Sequence, residues 1–100
     1  MAFSLTRSAE QDLIDIYVEG FHRFGEAQAE AYAARLQRAF ALLAEFPELA
    51  REREELSPPV RVHSCGVHVI FYLVTGTRDV LIVRIRHGRE DWLKLPPDAT

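Results

Sequence analysis

The chain has 100 residues, which suits one domain and leaves no room for a second hydrophobic core. Hydrophobic residues at 48% and charged residues at 27% match ordinary soluble usage, and no apolar run approaches the roughly 20 residues that span a bilayer. The single cysteine, Cys65, rules out an intrachain disulfide, and a net charge of −3 argues against a protein held mainly by phosphates.

The charge is unevenly spread. Through Ser57 six arginines face eleven acids, a net of −5, whereas from Pro58 onward five arginines and one lysine face four acids, a net of +2. Met1-Ala2-Phe3-Ser4 lacks the charged-then-apolar plan of a secretion signal. With one lone thiol, the expected home is the reducing cytoplasm, with no membrane partner.

In Ala2 to Thr6, Phe3 and Leu5 alternate with polar neighbours, as a short edge or partner strand does. Ser8 then offers a helix N-cap, with Gln11 completing a capping box, and Asp12 and Asp15 place negative charge where the helix dipole favours it. Leu13, Ile16 (with Tyr17), Phe21 and Phe24 recur at helical spacing up to Gly25, a natural stop. A second helix is predicted from Tyr32, Leu36, Phe40, Leu43 and Phe46, on an alanine-rich stretch of strong helix propensity. Pro47 ends it. Helices joined by one or two residues fold back as an antiparallel hairpin.

Arg51 to Glu55 reads as a solvated connector leading to Pro58-Pro59. Beyond it the period becomes strand-like: Val60 to Ser64, Val67 to Val74 and Val80 to Arg86 are rich in β-branched and aromatic residues. Cys65-Gly66 and Thr75 to Asp79 supply the turns. The expected fold is α+β in the order β-α-α-β-β-β. An N-terminal strand and a helical hairpin precede a three-stranded antiparallel meander, all strands in one sheet and residues 1–100 one domain.

A two-residue turn at Cys65-Gly66 pairs Ser64 with Val67 and sets His63 opposite His68, with Cβ atoms about 5 Å apart. His63-x-Cys65-x-x-His68 thus invites a metal reading, but zinc takes three or four protein ligands and the spacing supplies no others. An ordinary exposed histidine pair is the plainer reading, and neither metal nor cofactor is expected. On this register Arg61, Ile70 and Tyr72 share the histidine face, while Val60, Val62, Val67, Val69 and Phe71 face the other way and look like core. The sharpest signal is the run from Ile82 to Trp92, where an apolar strand ends in Arg86-His87-Gly88-Arg89, then acids, then an aromatic. Read blandly, Asp91 caps a last turn and Arg89 pairs with an acid. Read functionally, Arg84, Arg86 and Arg89 form a partner- or phosphate-binding edge.

Three features in this order resemble the ParE branch of the ParE/RelE toxin superfamily from Phe3 to Pro96. They are an opening strand with a long helical hairpin, the Arg61…Gly66-x-His68-Val69-Ile70-Phe71-Tyr72 hairpin, and the His87-x-Arg89-x-Asp91 ending. The resemblance implies the toxin of a type II toxin–antitoxin pair that stalls DNA gyrase and binds no nucleic acid sequence-specifically. It also implies a ParD-like antitoxin, part of which folds only against the toxin, giving a hetero-oligomer. On this view Arg84, Arg86, His87, Arg89, Asp91 and Trp92 face the target. Ile14, Val18, Phe21, Leu42, Ile70 and Tyr72 take the antitoxin, unless the helical residues among them merely widen the core-facing stripe.

The alternative is a RelE-like, ribosome-dependent messenger RNA endoribonuclease, with His87 as base and Arg61, Arg84 and Arg86 as stabilising cations. Against it, no tyrosine follows Tyr72, Lys94 is the only lysine, and the net charge is negative. A binding module without toxicity is a third reading, set apart by harmless expression of the chain alone.

Overall fold

The computed structural model describes residues 2–57 and 59–90. The opening strand β1 (Phe3–Leu5) passes directly into helix α1 (Arg7–Phe24), so the helix starts at Thr6 and not at Ser8. The Thr6 hydroxyl accepts from the Ala9 N–H at 3.0 Å and donates to the Val83 carbonyl at 2.8 Å. One side chain therefore caps the helix and ties its start to the last strand. At the other end Gly25 (φ 90°, ψ 169°) closes α1 and opens α2 (Glu26–Glu45) in a backbone conformation that side chains rarely adopt. The helices fold back with Gly20 against Ala29, where an added Cβ would sit 3.6 Å from the alanine methyl. Phe46, expected within the stripe, caps α2 instead, and Pro47 follows as the expected stop.

Of the stripe predicted for α2, Leu36, Phe40 and Leu43 are fully buried, joined by Ala29, Ala39 and Ala44, while Tyr32 is half-buried. On α1 burial falls away toward the C-terminus. Leu13, Ile16 and Tyr17 are half-buried, but Phe21 and Phe24 are exposed, as is Phe46 after α2.

Three main strands follow, β3 (Val60–Cys65), β4 (His68–Val74) and β5 (Val80–His87). The charged connector is more than a spacer. Glu52–Arg53 forms a two-residue strand, β2, antiparallel to β3, and Leu56 beyond it packs on the sheet. The single sheet has the order β1-β5-β4-β3-β2, with β1 parallel to β5 and the other pairs antiparallel. Among the described residues no helix is long and apolar enough to cross a membrane.

Both sheet faces are apolar. One packs Ile70, Tyr72, Val80, Ile82 and Ile85 against Leu36, Phe40 and Leu43, and forms the main core. The other gathers Val60, Val69, Phe71 and Val83 around Leu56. The expected valine face is thus the smaller cluster, and Val67 lies outside it, exposed in the turn. Ile82 and Ile85 face the helices together although they are three residues apart. An irregularity between Phe71 and Tyr72 permits this, since it inserts Val83 as an extra residue in β5.

The β3–β4 turn sits one residue later than the sequence suggests. Cys65 pairs with His68, Ser64 with Val69 and His63 with Ile70, so His63 does not face His68. Gly66 (φ 61°) occupies the first central position of a Gly66-Val67 turn, where a type II′ hairpin takes glycine.

Candidate functional site

A groove of about 750 Å³ opens between the helical hairpin and the end of β5. Asp12 of α1, Tyr32 of α2, His68 of β4, and Arg86, His87 and Glu90 around the end of β5 all line it. The register delivers the histidines there, because His68 pairs with His87 across the β4–β5 ladder. Their rings meet edge to face with centroids 5.5 Å apart, and the Tyr32 ring lies 5.5 Å from that of His68.

Tyr32 latches the floor of the groove. Its hydroxyl lies 2.6 Å from His68 Nδ1, accepts the Val67 N–H at 3.2 Å and reaches the Cys65 carbonyl at 3.3 Å. Burial pushes the Tyr32 phenol above its ordinary value, so it remains a neutral donor. Burial, and then the facing His87, hold His68 below the ordinary histidine value. His87 Nδ1 accepts the backbone N–H of Arg89 at 3.1 Å, so the proton of the neutral ring rests on Nε2. In that tautomer His87 offers a hydrogen-bond donor, not a ready general base.

Beside the histidines a buried carboxylate organises the strand end. Asp12 is 8% exposed and takes Arg84 through two bonds, Nε at 2.9 Å and Nη2 at 3.1 Å, together with the Ile85 N–H at 2.9 Å. Arg86 Nη1 stands 3.8 Å from the same carboxylate, while Arg86 Nε donates to Glu90 at 2.7 Å. Breaking a buried pair of this kind costs about 3–5 kcal/mol.

The structure redistributes the sequence-predicted residues. Arg86, His87 and Arg89 come together on the groove, whereas Arg84 is engaged by Asp12. Asp91 and Trp92 lie outside the described residues. Of the residues nominated for nuclease chemistry, Arg84, Arg86 and His87 lie together at the end of β5 and Arg61 stands apart. Arg61 pairs with Tyr72 and donates to the Ala50 carbonyl, four positions and about 13 Å along the sheet from the His68–His87 pair.

Of the residues nominated for the antitoxin, Ile14 (55% exposed), Val18 (46%), Phe21 (44%) and Leu42 (41%) are on the surface. Ile70 and Tyr72 are not, being fully buried at 0%. The Tyr72 hydroxyl donates to the Pro47 carbonyl at 2.9 Å and accepts the Ala50 N–H at 3.2 Å, anchoring the chain after α2. Sequence reasoning gave Asp12 to the helix dipole and Tyr32 to the α2 stripe, and placed neither in the site. The signal was present for Asp12, which falls three residues after Ala9 and four before Ile16, a carboxylate on an apolar stripe that needs a partner.

The profile of the family described as "ParE toxin of type II toxin-antitoxin system, parDE" matches residues 3–92. The chain belongs to this ParE toxin family. As a ParE-family chain it is 36% identical over 89 residues to Toxin ParE1 of Mycobacterium tuberculosis, covering 89% of this chain and 91% of that one. It is 39% identical to Toxin ParE1 of Caulobacter vibrioides over 85 residues, covering 85% of this chain and 86% of that one. Toxin ParE of Escherichia coli is 34% identical over 90 residues, covering 90% and 87%. The ParE-family fold is also that of a solved chain from the chromosomal ParDE toxin–antitoxin system of P. aeruginosa. That match has a TM-score of 0.75 and 22% identity, covering 87% of this chain and 95% of that one. A ParE toxin is one half of a pair, so its counterpart is an antitoxin.

Proposed function

We propose that this chain arrests growth by inhibiting DNA gyrase in the cytoplasm, that residues 1–100 act as one toxin domain, and that a ParD-like antitoxin silences it. The observation that carries this reading is the family match across residues 3–92. The clustering of Arg86, His87 and Arg89 on an open groove supports the target-facing role of that corner. Arg84 supports the corner from within, through Asp12. The exposed residues Ile14, Val18 and Phe21 recur at helical spacing on α1 and offer an apolar stripe of the kind a folding antitoxin segment covers.

Parallel assays test the proposal on purified chain. One follows gyrase supercoiling and accumulation of cleaved complexes; the other follows ribosome-dependent cleavage of a messenger RNA. Gyrase inhibition without RNA cleavage is expected, and RNA cleavage without gyrase inhibition would overturn the assignment. Reversing Arg86 and Arg89 to glutamate should abolish inhibition in a folded protein, and full inhibition by that variant would remove the corner from the target surface.

A further inference from the structure

Resting on the reading that Arg86, His87 and Arg89 face the target, we propose that Asp12 is the positioning residue of that corner. It sets where β5 presents Arg86. The β1–β5 ladder ends at Leu5 opposite Ile82, followed by a single bond from the Thr6 N–H to the Ile82 carbonyl. Among the described residues no strand pairs with β5 on this side beyond that point. The next outward groups of β5 are taken by side chains instead: the Val83 carbonyl by Thr6, the N-cap of α1, and the Ile85 N–H by Asp12 within it.

The Asp12 carboxylate therefore grips three successive residues of β5. It holds Arg84 by a two-pronged ion pair, Ile85 by its backbone, and Arg86 by charge at 3.8 Å. Arg86 is also anchored by Glu90 at 2.7 Å, four residues on and past the strand end. Its guanidinium is thus slung between a fixed carboxylate in the helical hairpin and an acid in the turn that lines the groove. Fixing both ends removes rotamer freedom before a partner arrives, which is how a positioned cation gains over a mobile one. Arg84 completes the arrangement by neutralising a carboxylate that burial would otherwise penalise. It serves the corner without facing the target.

The test uses the full chain. Asp12→Asn retains an oxygen for the Ile85 N–H and removes the charge that holds both arginines. Gyrase inhibition is measured beside antitoxin affinity, melting temperature and the NMR signal of the Arg86 Nε–H. The midpoint for inhibition should rise about tenfold or more. Antitoxin affinity should stay within about twofold, as independent sites do, while the Arg86 signal shifts and broadens. Unchanged inhibition, or inhibition and antitoxin affinity falling by the same factor, would overturn the proposal. Should Asp12→Asn fail to fold, Asp12→Glu moves the charge outward by one methylene and is expected to show the same selective loss. Full inhibition by the glutamate variant, or failure of both variants to fold, assigns Asp12 to folding alone. If the unaltered chain does not inhibit gyrase, the proposed function fails separately. The Asp12 variants are then scored by growth arrest against the same antitoxin affinity, and undiminished arrest sinks the positioning role.

Discussion

The Tyr32 hydroxyl contacts three groups of the β3–β4 turn, and Tyr32→Phe removes that oxygen while leaving the ring over Gly66 and His68. The Val67 N–H is exposed enough to find water, so the expected loss is modest, about 1–2 kcal/mol in urea denaturation. Gly66→Ala should cost more. A Cβ there would stand 2.6 Å from the Tyr32 oxygen, on a backbone with φ 61°, so both the latch and the turn are strained. A loss above about 2 kcal/mol is expected, and a neutral result would contradict this packing. His68 supplies a pH dependence. Its folded-state value lies below the ordinary 6.5, first from burial and then from His87, with Glu19, Glu90 and Asp12 pulling the other way. The fold thus prefers the neutral ring, and the unfolded chain takes up the proton first as pH drops. Stability should therefore decline as pH falls through 6.5 and level off below the folded-state value. Denaturation across this range checks it, and an identical slope in His68→Gln would assign the effect elsewhere.

At the level of elements, the two helices and three main strands were legible because their apolar residues repeat with periods that do not depend on the rest of the chain. Gly25 and Pro47 marked helix ends for reasons equally local. Gly25→Ala meets no atom within 4 Å, so its expected cost of about 1–3 kcal/mol in thermal unfolding is purely conformational. What the spacing did not reveal depends on residues far apart. Thr6 outcompetes Ser8 as the cap because Val83, 77 residues away, takes its proton. Thr6→Ala should accordingly destabilise by about 1–2 kcal/mol, whereas Ser8→Ala should cost clearly less; equal losses would contradict the assignment. The turn at Gly66 was misplaced by one residue because glycine suits either central position of a two-residue hairpin. Only the full β3–β4 pairing chooses between them. The extra residue at Val83 left no local trace either, since isoleucine and valine fit both faces of a sheet covered on both sides.

For the whole molecule, the C-terminal corner was visible as a cluster of arginines and a histidine, but its internal division of labour was not. Which arginine takes the two-pronged ion pair depends on Asp12, brought to β5 from 72 residues away. Ile70 and Tyr72 were mistaken for surface because a strand covered on both faces shows no alternation to separate inside from outside. Ile14, Val18 and Phe21 form an exposed apolar stripe on α1, outside the core clusters of the described residues. Ile14→Lys with Val18→Lys should leave the melting temperature nearly unchanged and weaken antitoxin binding by about tenfold or more. Undiminished binding would place the antitoxin elsewhere.

The parallel pairing of β1 with β5 has a consequence for synthesis. The first strand pairs with Val80–Ile82, and Thr6 and Asp12 find their acceptor and cations in Val83–Arg86, far along the chain. A nascent chain lacking its last strand holds the helical hairpin and the β2–β4 strands without the strand that joins α1 and β1 to the sheet. Closing so long a loop is the step that must wait. Ribosome-bound chains truncated before Val80 should be cut readily by protease, and those extended past His87 should resist. The corner proposed to face the target thus forms only after β5 has been made, later than the α1 stripe that the antitoxin is proposed to cover.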